Sequence, residues 1–327
     1  MKKIIILGFI GLIMVIALSA CSGSAGPAGP AGPTGPAGPQ GPAGTVSAAN
    51  LSCTQCHNAT TLIFSKHTEW SLSVHATGGN YIRATSAACA GCHSSEGFTA
   101  RIAAHINPDK VANGETNPSP PNCRTCHNIH TTYTSADFSL RTTDPVVLYI
   151  SGQTFNFGEG NLCANCHQPR QGPPPVGGGD VNVDSTHWGP HHGPQSASFL
   201  GISGYNVQTV VSPHYQAVTK GCPACHMLNA THDMTPDVAA CQPCHKGATN
   251  FDIDGVQTAV LAKLDQLKTL LEAKGLLKDG NPVVGTYPEA QAGALWNYIS
   301  VVEDRSNGVH NPQYIQAMLQ EGIDALK

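Results

Sequence analysis

The stretch from Gly221 to His245, GCPACHMLNATHDMTPDVAACQPCH, holds two copies of Cys-x-x-Cys-His whose first cysteines lie 19 residues apart. Cys222, Cys225 and His226 make one copy; Cys241, Cys244 and His245 make the other. Working outward, four more stand upstream: Cys53/Cys56/His57, Cys89/Cys92/His93, Cys123/Cys126/His127 and Cys163/Cys166/His167. Two thiols with two residues between them can add across the two vinyl groups of one haem, and the histidine directly after the second thiol then falls under the iron as its proximal ligand. One pentapeptide both anchors the group and ligates it.

Cys-x-x-Cys pairs also build zinc sites and redox disulfides, and a single copy would leave those readings open. Histidine is 16 of 327 residues, so its recurrence by chance after all six pairs has a probability on the order of 10⁻⁸. Zinc makes no demand for histidine at that one place in every copy. The sequence therefore predicts six covalently bound haem c groups on twelve cysteines and six proximal histidines.

These motifs use twelve of the 13 cysteines, which leaves Cys21 and none for a structural disulfide. At 40% hydrophobic and 6% aromatic, the chain is poor in material for a conventional core. Porphyrin faces are the apolar surface against which its loops would pack instead. The expected fold class is mostly α plus irregular loops: a multihaem cytochrome c with little β, a haem-packed core and a C-terminal helical bundle. A formal charge of -4 argues against nucleic acid as a partner and steers towards no other.

Lys2 and Lys3 precede an apolar run from Ile4 to Leu18 that ends at small residues, the pattern of an export signal rather than a spanning helix. Leu18-Ser19-Ala20-Cys21 resembles the bacterial lipobox, which implies cleavage before Cys21, its lipidation, and a mature chain of 307 residues held on a membrane by that lipid. An ordinary signal with an incidental cysteine would leave an unpaired exported thiol. Ser22, where an aspartate would favour the inner membrane, points to the outer membrane, with the cell surface and the periplasmic face both open. Residues 26–44, GPAGPAGPTGPAGPQGPAG, place glycine at every third position, the collagen period. Two readings stand: an extended spacer of roughly 60 Å at about 3.1 Å per residue, and a trimerisation stalk. The organisation is then a signal over 1–20, a lipidated spacer over 21–50, a six-haem domain over 51–250 and a helical segment over 251–327.

Successive motifs begin 36, 34, 40, 59 and 19 residues apart, so neighbouring haems are forced close together. Asn113 to Pro121 and Gly172 to Gly179 read as loops. Ten histidines are spare: His67, His75, His105, His130, His187, His191, His192, His214, His232 and His310. They suffice to close all six irons, and beyond the signal the only methionines are Met227, Met234 and Met318. Histidine is therefore expected as the sixth ligand, which favours low potentials. Position along the chain selects His75, His130, His191, His214, His232 and His310 as distal candidates.

Past residue 250 the composition shifts to helix formers. A helix is expected over Gln257–Lys274, with Val260, Leu261, Leu264, Leu267, Leu270 and Leu271 on one face and Gly275 ending it. A second is expected over Pro288–Arg305, packing Leu295, Trp296, Ile299 and Val302. A third opens at Asn311-Pro312, a cap followed by a first-turn proline. His310, just ahead of it, is placed to reach back to an iron.

The string from His232 to Cys241, with Gly308-Val-His310-Asn-Pro312, resembles the multihaem c-type cytochromes of metal-respiring bacteria, and the lipobox fits their outer-surface lipoproteins. The resemblance covers residues 50–327 and implies stacked bis-histidine haems that conduct electrons to partner cytochromes or extracellular metal oxides. The helical tail and its Gly-Val-His-Asn-Pro are also similar to the nitrite reductase and hydroxylamine oxidoreductase superfamily. That similarity implies the alternative of a reductase acting on a small nitrogen or sulfur compound at one open haem. The pentahaem nitrite reductases hold their catalytic haem by Cys-x-x-Cys-Lys, which is absent from this chain.

Overall fold

The computed structural model describes residues 62–327. Cys21, the glycine-proline stretch and the first motif, Cys53, Cys56 and His57, lie outside the described residues. Short helices separated by loops come first: α1 (Leu62–Ser71), α2 (Val74–Thr77), α3 (Ala87–His93), α4 (Ser95–Ala103), α5 (Cys123–Cys126), α6 (Gly160–Ala164), α7 (Gln195–Leu200), α8 (Pro213–Ala217) and α9 (Pro223–His226). Three longer ones close the chain: α10 (Val256–Ala273), α11 (Glu289–Asp304) and α12 (Pro312–Leu326). Strands are few and short, in three antiparallel pairs: β1 (Val146–Val147) with β2 (Thr154–Phe155), β3 (Val181–Val183) with β6 (Gly285–Tyr287), and β4 (Leu277–Lys278) with β5 (Asn281–Pro282). The fold is mostly α with irregular connections.

Each described Cys-x-x-Cys-His outside α3 closes a single helical turn. The histidine N–H donates to the carbonyl of the first cysteine at 2.9 Å for His127, 2.9 Å for His167, 3.0 Å for His226 and 2.8 Å for His245. Side chains three and four apart share a helix face, so one turn aims both thiols and the imidazole to the same side. The turn at Cys123 is fixed by Asn122, whose side-chain oxygen accepts the Arg124 N–H while Thr125 Oγ1 accepts the Asn122 N–H, a reciprocal cap.

The last three helices make an ordinary core. Leu267, Leu271, Leu295, Trp296, Ile315, Met318 and Leu319 are all buried among one another, and α12 packs on both α10 and α11. Gly275, at φ +73°, ends α10 by letting the Leu276 N–H reach back to the Leu271 carbonyl at 2.9 Å. Asn311 caps α12 through the Tyr314 N–H. The outcome departs from the expected faces at Leu261 and Val302, which stay 50% and 42% exposed. The buried stripe of α10 runs through Val260, Leu267 and Leu271, and Leu261 sits a third of a turn away from it.

The bundle is not a separate cap. Trp188 stacks edge-on against Trp296 at 5.3 Å, the Tyr205 backbone exchanges hydrogen bonds with the Asn297 amide, and β3 pairs with β6 across the sequence boundary at 250. Gly293 permits this approach, because a Cβ there would lie 2.0 Å from the Tyr205 ring. A second, smaller cluster gathers Val146, Leu148, Phe155, Phe157, Ala164, Phe199 and Leu200, with Cys222 packed on it.

Candidate haem sites

Every described Cys-x-x-Cys-His histidine faces a second imidazole. Ring centroids lie 6.2 Å apart for His167 and His75, 6.0 Å for His93 and His191, 6.2 Å for His127 and His232, 6.4 Å for His226 and His310, and 6.2 Å for His245 and His214. A metal between two imidazole nitrogens, each about 2.0 Å away with its ring centre about 1.1 Å farther, spaces the rings by about 6.2 Å. The described pairs fit that demand. In each pair one partner follows a Cys-x-x-Cys and the other comes from a remote segment.

The donor atoms agree. Nδ1 is occupied on most of these rings, which leaves Nε2 for the partner. His127 Nδ1 meets the Phe138 carbonyl at 2.7 Å, His226 the Met234 carbonyl at 3.1 Å, His214 the Val309 carbonyl at 2.9 Å and His232 the Ala230 carbonyl at 2.9 Å. His167 Nδ1 meets Gln195 Oε1 at 3.1 Å, and His310 Nδ1 the Asp304 carboxylate at 3.0 Å. Such contacts fix ring orientation around a metal. His191 Nε2 is buried with no hydrogen-bond partner, and its backbone is held at φ +69°, a conformation that costs a non-glycine residue energy. Burial, followed by His167, pushes His75 down to about 4; burial, followed by Arg170, pushes His191 down to about 4. Burial also lowers His93, His167, His214, His226 and His232. These imidazoles are held neutral at pH 7, the form that binds a metal.

Between the motifs lies a connected cavity of about 2100 Å³, reached by Cys92, Cys126, Cys166, His75, His127 and His191. Pockets for a single small molecule hold roughly 300–1,000 Å³, so this space accommodates several. Among the described residues no three His, Cys, Asp or Glu side chains converge on one point as a structural zinc site requires. All ten described cysteines are free of disulfides. A porphyrin brings its own four equatorial nitrogens and asks the protein for only two axial ones, which is the donor set present.

Neighbouring motifs touch through their thiols. The thiols of Cys92 and Cys166 lie close enough to perturb each other's ionisation, as do those of Cys163 and Cys222. The 163–167 motif thus meets a different neighbour through each of its cysteines. Arg101, 3% exposed, ties the first contact by donating to the carbonyls of Gly91 at 3.0 Å and Asn165 at 3.1 Å, inside two separate motifs. Met234, at φ +61°, links two pairs: its sulfur lies 2.8 Å from His75 Nδ1 while its carbonyl meets His226.

Of the six distal candidates, the structure brings His75, His191, His214, His232 and His310 to a proximal histidine. His130 borders the large cavity with its ring stacked on Tyr133 at 5.5 Å, and His57 lies outside the described residues. His67 also borders the cavity, against Trp70 at 5.6 Å. His192 pairs with Glu303 at 2.6 Å instead. Arg101, Gln195, Met234 and Asp304 escape sequence reading, because nothing in their local sequence signals a partner so far along the chain.

No protein-family model matches the sequence, and neither does any curated protein sequence. In fold the chain is similar to the crystal structure of the outer cell wall cytochrome OcwA, at 22% identity and a TM-score of 0.52, over 80% of this chain and 50% of that one. The undecahaem cytochrome from the S-layer of Carboxydothermus ferrireducens also aligns, at 19% identity and a TM-score of 0.45, over 78% of this chain and 40% of that one. The chain spans about half the length of the first of these proteins or less of the second.

Proposed function

We propose that this protein is a multihaem c-type cytochrome carrying six haems, each closed by two histidines, and that it transfers electrons between redox partners at the cell envelope. The observation that carries this reading is the set of imidazole pairs spaced 6.0–6.4 Å apart, each joining a Cys-x-x-Cys-His histidine to a distant one. When bound, haem supplies reversible one-electron chemistry at iron with no substrate bond made or broken. The chain supplies everything else.

Cys89 and Cys92, Cys123 and Cys126, Cys163 and Cys166, Cys222 and Cys225, and Cys241 and Cys244 would hold five of the groups, with the facing histidines below and above. Cys53, Cys56 and His57 would hold the sixth, for which His130 is the remaining distal candidate. The imidazoles that burial keeps neutral, among them His75 and His191, would serve as ligands to the iron. Arg101, which joins the 89–93 and 163–167 motifs, and the close approach of Gly160 to Cys222 support an order in which the 163–167 site would lie between those at 89–93 and 222–226. Val309 and His310 link the last two sites, since one backbone carbonyl holds His214 and the next side chain faces His226.

The resemblance to an outer cell wall cytochrome supports a place outside the cytoplasm. With the signal and Cys21, it favours a lipid anchor at the outer membrane, where partner cytochromes or metal oxides would accept electrons. The glycine-proline stretch would serve as spacer or trimer stalk. A reductase of small nitrogen or sulfur compounds needs an iron with an open position, and the imidazoles opposite His93, His127, His167, His226 and His245 argue against one at those five sites. Electron paramagnetic resonance of the purified ferric protein tests the reading. Low-spin signals alone, six haems by mass and no turnover of nitrite or hydroxylamine are expected; a high-spin iron with turnover would overturn it in favour of the reductase.

A further inference from the structure

Resting on the bis-histidine reading, we infer that Asp304 is a positioning residue that makes the site of His226 and His310 the lowest-potential one among the described sites. Asp304 ends α11 with its side chain 1% exposed, and its two carboxylate oxygens lie 3.0 and 3.1 Å from His310 Nδ1. No lysine or arginine pairs with it among the described residues. Ser306 donates its hydroxyl to the same carboxylate and accepts the His310 backbone N–H at 3.2 Å. Phe199 covers the His310 ring at 4.7 Å, and the Ser212 hydroxyl holds the His310 carbonyl at 2.6 Å. His310 is fixed at its backbone, its ring face and its Nδ1.

A desolvated carboxylate is costly unless it is compensated, and the His310 N–H is what it is aimed at. Pulling that proton towards oxygen enriches the ring in electron density, so Nε2 becomes a stronger donor. A stronger donor stabilises ferric over ferrous iron and lowers the potential. The other described pairs lack this arrangement. Their rings meet neutral groups at Nδ1: the carbonyls of Phe138, Met234, Val309 and Ala230, the Gln195 amide and the Met234 sulfur. Glu69 comes only to 3.8 Å from His232 Nδ1 and is also paired with Lys66 at a part-exposed position. Glu303 holds His192, which faces no motif histidine.

The test is a spectroelectrochemical titration of the complete six-haem protein beside Asp304→Asn, which keeps the shape and removes the charge. One component of the titration is expected to move to higher potential, with the g-values of one low-spin signal changing and the others unmoved. Ser306→Ala, which removes the competing hydroxyl and leaves the charge on His310, should move the same component the opposite way. A titration unchanged in both variants, or all components shifting alike, overturns the inference. Should Asp304→Asn lose a haem, Ser306→Ala decides alone: a lowered single component supports the inference and an unmoved one refutes it. A wild-type protein with high-spin iron or fewer than six haems would instead count against the bis-histidine reading.

Discussion

The bundle of α10 to α12 and the region from residue 62 to 250 solve the folding problem with different material. In the bundle, Trp296, Leu267, Leu319 and their neighbours fill the interior with side chains. In the earlier region Phe64, Leu72, Val74 and Ile82 are 60–81% exposed, and the main interior feature is a cavity of about 2100 Å³. Outside the small cluster around Phe155 and Phe157, many apolar side chains there are left facing outward or onto that space. Short one-turn helices and loops cannot bury enough surface to offset chain entropy, so this half needs a filling that the polypeptide does not provide.

The sharpest way to break that contrast is to withhold haem. Protein made without cytochrome c maturation should lose amide protection over residues 62–250 while α10, α11 and α12 keep theirs, as hydrogen exchange would show. Equal protection, or equal loss, would mean that the two halves do not differ in this way. The converse test removes side-chain filling from the bundle: Trp296→Ala should destabilise the protein by about 3–5 kcal/mol in denaturant titration while the number of bound haems is unchanged. A smaller effect is expected from Arg101→Met, which leaves the Gly91 carbonyl without its donor and loosens two motifs from each other. Its cost should be about 2 kcal/mol, read from unfolding of the holoprotein followed at the haem absorbance. Smallest is Asn122→Ala, where loss of one cap should cost about 1 kcal/mol and sharpen the estimate of how much each motif turn depends on local hydrogen bonding.

The two halves were also unequally legible in sequence. Helix periodicity, Gly275 and the Asn311-Pro312 cap locate α10, α11 and α12 to within a residue, because those signals are local. Leu261 and Val302 were misplaced because an apolar residue at the border of a stripe can face either way until the neighbouring helix is known. The Cys-x-x-Cys-His motifs are equally local, and each says where a haem would be attached. Which histidine stands opposite which motif is not local: His75 and His167 are 92 positions apart, His127 and His232 105. No periodicity constrains such separations. The same holds for Arg101, whose two carbonyl partners lie in different motifs, and for the β3 to β6 pairing, whose short strands carry too little pattern to announce a partner.

The loop from Asp304 to Asn311 joins two helices of the well-packed half, yet Val309 and His310 within it serve two different pairs in the hollow half. The two pairs are mechanically ganged: a shift of that loop would displace His310 and the carbonyl that holds His214 together. Their geometry therefore cannot drift independently, and any substitution that repositions the loop should be expected to disturb two facing imidazole pairs at a stroke.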